Sequence, residues 1–297
     1  MKSESAVTVL EPGLRRILAP NPSPMTYKGT NTYLVGEGDL VVIDPGPKDQ
    51  GHLSSILNAL EPGESIAAIL VTHSHMDHSP LARPLAEATS APVLAAGPSD
   101  WGRSEVMARL ARDGLLGGGE GVDAGFSPDD RIREGSRIDG AWGAIEVLET
   151  PGHMANHLSF AWNGALFSGD LVMGWSTSLV SPPDGDMTAF MASLRRLEGR
   201  SDRIYYAGHG DPVDDPQDRA RALIAHRAGR EGQILDALGH DAPASAADLA
   251  ARIYTDLAPA LLPAAQRNVL AHLIDLTQRN QISPDGPLGA TARFART

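Results

Sequence analysis

The stretch Thr72-His73-Ser74-His75-Met76-Asp77-His78 puts four metal-capable side chains within six residues. It directly follows Ile69-Leu70-Val71, an apolar run that reads as a buried β-strand. His73 and His75 lie two apart, so an extended backbone sends both imidazoles to one side. A turn just past them lets Asp77 and His78 face the other way, toward a second ion. Imidazole and carboxylate are the ligands that zinc takes in open sites, where one position is left for water. A polar loop with accidental histidines would stand alone, whereas this chain supplies more such residues downstream.

The elements that must carry these residues can be read in order. Gly29–Val35 and Leu40–Ile43, joined by Gly36-Glu37-Gly38-Asp39, predict a hairpin ending at Asp44. Leu53, Ile56, Leu57 and Leu60 predict a helix stopped by Pro62-Gly63, and 67–71 the strand that delivers the histidines. Leu81, Leu85 and Ala88 predict a second helix whose start is ambiguous, because Pro84 in a helix interior would cost a hydrogen bond. A strand at 92–94, a helix at 104–113 and a glycine-rich surface loop at 114–125 follow. A second β-rich half begins near Ile132 and carries Thr150-Pro151-Gly152-His153. Asn163-Gly164 marks a hairpin whose second arm runs into Gly169-Asp170. Asp186 caps a helix over Phe190 to Leu197, and a last strand, 203–206, ends at Ala207-Gly208-His209-Gly210. Strand ends at 44, 72, 150, 169 and 207 are thus each accompanied by an Asp or His. Ligands gathered on loops at one end of a sheet make an active-site edge.

From about residue 214 the texture changes to Ala-rich helical stripes at 220–238, 246–254 and 266–279, without any strand-end ligand pattern. This predicts an α/β domain over 1–213 and a small helical module over 214–297. The length of 297 residues suits that division. The chain has no cysteine, which rules out disulfides and thiolate metal sites. A net charge of −12 with no basic block argues against tight, nonspecific DNA binding, which depends on phosphate neutralisation. Met1–Ser5 carries no apolar signal region and no apolar run is long enough to span a bilayer, so the expectation is a cytoplasmic protein without a membrane partner. Oligomeric state, a homo-oligomer included, stays open.

With these residues laid out, the chain resembles the metallo-β-lactamase-fold hydrolase superfamily. The His-x-His-x-Asp-His signature corresponds to His73, His75, Asp77 and His78. Thr-Pro-Gly-His ends at His153, Ser-Gly-Asp at Asp170, Gly-His-Gly centres on His209, and Asp44 matches the early aspartate. The resemblance implies an αββα sandwich with a dinuclear site at one sheet edge. It implies His73, His75 and His153 on one ion, Asp77, His78 and His209 on the other, and Asp170 bridging. Two zinc ions per chain are expected, with manganese or iron compatible. Such a pair lowers the pKa of a shared water toward neutrality, and Asp77 is assigned the further task of orienting the attacking hydroxide. Asp44 is read as fixing a ligand histidine, or as capping a strand-to-helix turn.

Asn21-Pro22-x-Pro24, 29–35 and the tail pattern (His226-Arg227, Glu231, Gln233-Ile234-Leu235, Leu249, Ile253-Tyr254, His272-Leu273 and Leu276) resemble the β-lactamase-like protein 2 group. That implies a winged-helix-like tail beside the site and, from the animal member, an endoribonuclease acting on single-stranded RNA. A small ester, thioester or lactone is the other substrate class considered. Pro80-Leu81 and Asn156-His157 depart from the group's usual residues, which bears on substrate rather than metal. His157 is assigned to support a ligand, or to an ordinary structural role. Asn31 and Tyr33 border the substrate or complete the hairpin. His226 and Arg227 line the pocket mouth or form a solvated helix face, the second being the expectation. His52, His240 and His272 are read as structural or surface. A glyoxalase-II-like thioesterase is the alternative, ranked lower because its glutathione-gripping tail has no match here. A di-iron redox protein of this fold is disfavoured, since it usually carries Glu at the position of His75 and a flavin module.

Overall fold

The computed structural model describes residues 7–117, 121–238 and 243–297. Two mixed β-sheets pack face to face between helices. The first sheet holds, in spatial order, β1 (Val7–Glu11), β2 (Leu14–Leu18), β3 (Asn31–Val35), β4 (Asp39–Ile43), β5 (Ser65–Leu70), β6 (Val93–Ala95) and β7 (Asp130–Arg131). It is antiparallel up to β4 and parallel from there on. The helices α1 (Gln50–Asn58) and α2 (Ala82–Thr89) cross over between its parallel strands, as parallel pairing requires. The second sheet runs β12 (Ile204–Ala207), β11 (Ala165–Gly169), β10 (Leu158–Trp162), β9 (Gly143–Glu149) and β8 (Arg137–Gly140). Leu14, Val35, Ile43 and Leu70 from one sheet meet Val147, Phe160, Phe167 and Tyr206 from the other in a single apolar layer. The helix α3 (Glu105–Arg112) follows β6, and α4 (Met187–Glu198) covers the outer face of the second sheet through Phe190, Leu194 and Leu197.

Local chemistry explains several boundaries. Asp49 caps α1, accepting the His52 N–H, and Asp186 caps α4, accepting from the N–H groups of Thr188 and Ala189. Helix α2 begins after Leu81, so Pro84 falls in its first turn, where a missing N–H costs no intrahelical bond. Asn163 (φ 48°) and Gly164 (φ 74°) both take the left-handed conformation that a two-residue hairpin demands.

The tail contains α5 (Pro216–Ala237), α6 (Ala246–Ile253) and α7 (Leu262–Gln278), with a 3-10 turn at Pro259–Leu261. It also holds a small sheet, ordered β13 (Ala244–Ser245), β15 (Arg293–Arg296) and β14 (Ile282–Asp285), the wing strands that a purely helical reading omits. Helix α5 serves two cores. Its Leu223 joins the cluster beneath α4, and its Ile234 and Leu238 join the tail's own cluster around Leu249, Leu273 and Phe294. Met107 and Leu110 of α3 complete that second cluster. Among the described residues no helix is long and apolar enough to cross a membrane.

His52 and His272 are both buried, whereas His240 lies outside the described residues. Burial, reinforced by Arg227 and Arg230, pushes the His272 imidazole down to about 3, so it is neutral in the fold. Unfolding exposes a ring of ordinary pKa near 6.5. Below that pH the unfolded chain takes a proton that the folded chain refuses, so stability is lost as pH falls from 6.5 toward 3. At pH 4.5 the loss assigned to this ring is roughly 2–3 kcal/mol. His272→Leu should therefore lose less thermal stability than the wild type between pH 7 and 4.5; parallel melting curves would refute the assignment.

Candidate metal centre

The loops at the C-terminal ends of β4, β5, β11 and β12, with the loop after β9, bring the sequence-derived residues together at one edge of the sandwich. His73 Nε2 and His153 Nε2 each lie 3.0 Å from His75 Nδ1. His78 Nε2 lies 3.3 Å from His209 Nε2, and Asp77 Oδ2 lies 3.4 and 3.1 Å from those two nitrogens. Asp170 stands between the two groups. Its Oδ1 is 3.5 Å from His78 Nε2, and its Oδ2 is 3.2 Å from His209 Nε2 and 3.8 Å from His153 Nε2.

The surrounding hydrogen bonds fix which nitrogen faces inward. His78 Nδ1 donates to Asp44 Oδ2 at 2.9 Å, His153 Nδ1 to the Leu179 carbonyl at 2.7 Å, and His209 Nδ1 to the Gly29 carbonyl at 3.2 Å. His73 Nδ1 donates to Thr72 Oγ1 at 2.9 Å, a hydroxyl that in turn donates to Asp44 Oδ2. The Nε2 atoms of His73 and His153 thus face His75 Nδ1, and that of His78 faces that of His209, close approaches that a cation in each group would stabilise. Ligand nitrogens at about 2.05 Å from a tetrahedral zinc stand about 3.3 Å apart, close to the separations found here. Asp77 Oδ1 and Asp170 Oδ1 are buried without a hydrogen-bond partner among the described residues, a condition that a cation would relieve. The residues fit a pair of metal ions.

Ionisation points the same way. Burial pushes His73 well down and His75 down to about 3, with neighbouring imidazoles adding to the effect, so both are neutral. Burial disfavours the Asp77 and Asp170 carboxylates, but His78 and His209 outweigh it and hold both well below the usual range. Burial likewise lowers His78 and His209, yet the carboxylates raise the first well above its ordinary value and the second to about 10. Metal ions would compete with protons at those two rings, so affinity falls with falling pH.

The backbone is shaped to allow this crowding. Gly169 has φ 48°, and a Cβ there would lie 2.5 Å from His157 Nε2. A Cβ on Gly208 would lie 2.3 Å from Asp170 Oδ1. Asp44, itself at φ 52°, accepts from the Thr72 N–H and hydroxyl and from His78, whereas the cap of α1 is Asp49. His157 accepts the Asp170 N–H at Nε2 (3.2 Å) and donates from Nδ1 to Thr150 Oγ1 (2.9 Å).

Asn31 and Tyr33 are buried. The Asn31 amide donates to the carbonyls of Ala207 and Gly210, and the Tyr33 hydroxyl to that of Ala207 at 2.6 Å, so both anchor the loop of His209. Arg227 corrects the expectation of a solvated helix face: it is 2% exposed, while its neighbour His226 is exposed. Arg227 donates to the Ser178 carbonyl and, at 3.2 Å, to Asn268 Oδ1. The segment Ser178-Leu179-Val180 carried no sequence signal, since it acts mainly through its main chain. The Ser178 hydroxyl donates to the Asp170 carbonyl, the Leu179 carbonyl holds His153, and the Val180 N–H donates to Asn268.

Residues 25–209 match the Metallo-beta-lactamase superfamily, and 245–287 match the Beta-lactamase associated winged helix domain. The chain belongs to the metallo-β-lactamase superfamily and is an enzyme of that metallohydrolase class. It is 31% identical over 290 residues to a β-lactamase-like protein 2 homolog of Drosophila melanogaster, spanning 93% of this chain and 92% of that one. It is 30% identical over 241 residues to the atrochrysone carboxyl ACP thioesterase of Aspergillus fumigatus, spanning 78% of this chain and 67% of the other. A metallo-β-lactamase family protein of Thermus thermophilus superposes with a TM-score of 0.76 at 26% identity, covering 97% of this chain and 100% of that one.

Proposed function

We propose that the chain is a dinuclear zinc hydrolase of the β-lactamase-like protein 2 type, cleaving an ester-class bond. The observation that supports this most is the convergence of two triads, His73-His75-His153 and Asp77-His78-His209, with Asp170 between them. Two divalent ions held there would supply Lewis acidity and a water acidified toward neutral pH. The donors are nitrogen and oxygen only, which suits zinc and also accepts manganese or iron. Asp170 balances charge across both triads. Asp77, whose Oδ1 has no partner among the described residues, would orient the attacking water. Asp44 and His157 hold His78 and Asp170 in place. We divide the chain into a hydrolase domain, 1–213, and a winged-helix-like domain, 214–297, whose α5 reaches back to the site.

Two substrate classes follow from the likenesses. The thioesterase relative favours acyl thioesters and esters, and the β-lactamase-like protein 2 resemblance favours single-stranded RNA. Elemental analysis of gently purified protein should approach two zinc-like ions per chain. Metal-loaded protein should then turn over at least one of single-stranded RNA, acyl thioesters, lactones or β-lactams. Protein that neither carries nor takes up metal would overturn the reading.

A further inference from the structure

Between the hydrolase sheet and the tail lies a pocket of about 230 Å³. Its walls include Met25, Trp175 and Leu179 on one side and His226, Arg227, Arg230 and Tyr254 on the other, and among the described residues no carboxylate lines it. That is unexpected in a chain of net charge −12. Among other partly buried arginines, Arg15 pairs with Glu64 at 2.7 Å and Arg103 with Asp184 at 2.6 Å, whereas Arg219 and Arg267 use carbonyl and hydroxyl acceptors. Arg227 and Arg230 have no carboxylate within ion-pair distance among the described residues. Arg227 uses two nitrogens on Ser178 and Asn268. Arg230 lies 4.1 Å over the Tyr254 ring and donates to Gln233 at 2.7 Å. Three buried donors of this lining, Arg227 Nε, Arg230 Nε and Trp175 Nε1, have no acceptor among the described residues. Buried cations and orphaned donors are costly without an anion to face. Two residues of its lining also touch the metal centre. The Leu179 carbonyl holds His153, and Trp175 packs so closely on Gly210, beside His209, that a Cβ there would lie 2.6 Å from its ring.

Resting on the hydrolase reading above, we infer that this pocket is an anion subsite, and that the substrate is a small acyl ester or thioester whose far end carries a carboxylate or phosphate. Arg230 supplies the charge, His226 offers a neutral imidazole at the rim, the Tyr254 and Trp175 rings flank the chain of the substrate, and the scissile bond lies toward His153 and His209. Burial first, then the neighbouring Arg227 and Arg230, lowers His226, so its ring is neutral at pH 7. A single charge-assisted bond of this kind is worth roughly tenfold or more in affinity.

The test compares metal-loaded wild type with Arg230→Gln and His226→Gln on two chromogenic esters of equal length, one neutral and one ending in a carboxylate. The preference for the anionic ester, as a ratio of kcat/KM, should drop by about tenfold in Arg230→Gln, chiefly through KM. Calorimetric titration with glutarate and with inorganic phosphate reads the subsite without turnover and shows which anion it prefers. Affinity for the preferred anion should fall about tenfold in the same variant. Binding that depends on Arg230 in protein that hydrolyses neither ester would uphold the subsite and defeat the hydrolase reading. Hydrolysis with unchanged preference and unchanged anion binding would defeat the subsite alone. Arg230-dependent binding of a dinucleotide, with none of glutarate or phosphate, would replace it with a nucleic-acid backbone site.

Discussion

Asp170→Asn should lose turnover by more than the roughly 10- to 100-fold typical of residues that only support a ligand, and should lose bound metal with it. The substitution changes one oxygen to an amide nitrogen and leaves the shape alone. Its main-chain contacts, the N–H to His157 and the carbonyl from Ser178, do not involve the side chain. The fold should therefore survive, and circular dichroism at saturating metal should match wild type. What disappears is the negative charge that two clusters share, with His209 Nε2 at 3.2 Å on one side and His153 Nε2 at 3.8 Å on the other. An amide offers one neutral acceptor and turns two N–H donors toward nitrogen lone pairs or cations. Metal content by elemental analysis should drop below two per chain, with kcat falling more than KM rises. A variant that kept two ions and full turnover would show that Asp170 is not the bridge.

The parts of the centre that were legible in the sequence are those written as side chains at fixed spacing. His73, His75, Asp77 and His78 sit within one turn after a buried strand, and the hairpin that carries Asp170 announces itself through Asn163-Gly164. The supporting layer was less legible, because much of it is main chain: the carbonyls of Gly29 and Leu179 orient two histidines and carry no residue-type signal. Strands β1 and β2 gave little period-2 pattern, since β1 is largely exposed and β2 has Arg15 and Arg16 at its centre. Helix α5 misled for a different reason. It packs Leu223 against one core and Ile234 against another, so its apolar stripe shifts along its length. Arg227, at the crossing between those two stretches, reads as surface in sequence and is buried in the fold.

That position makes Arg227→Met the second substitution with a large expected effect. Burial lowers the Arg227 guanidinium to about 10, still protonated at neutral pH, and the group lies 5.1 Å from the Phe190 ring. Its two bonds tie the Ser178 carbonyl to Asn268, and Asn268 in turn receives the Val180 N–H at 3.0 Å. The same three-residue segment holds Asp170 through the Ser178 hydroxyl and His153 through the Leu179 carbonyl. Methionine fills similar volume and removes an unpaired buried charge, so the loss of stability should be modest. Releasing the segment, however, lets both side chains drift, and the cost should fall on metal. Zinc affinity measured by chelator competition should decline by roughly 10- to 100-fold. Arg227→Lys should recover part of this, since an ammonium can reach one acceptor but cannot fork between two. Thr188→Ala supplies the contrast: it breaks another contact with the tail, the 2.5 Å bond from α4 to Asp275 of α7, without touching the segment. It should lower the melting temperature while zinc release stays at the wild-type rate. If Arg227→Met and Thr188→Ala shift stability alike and neither alters zinc affinity, α5 serves only as packing for the fold, and the metal centre does not depend on the tail.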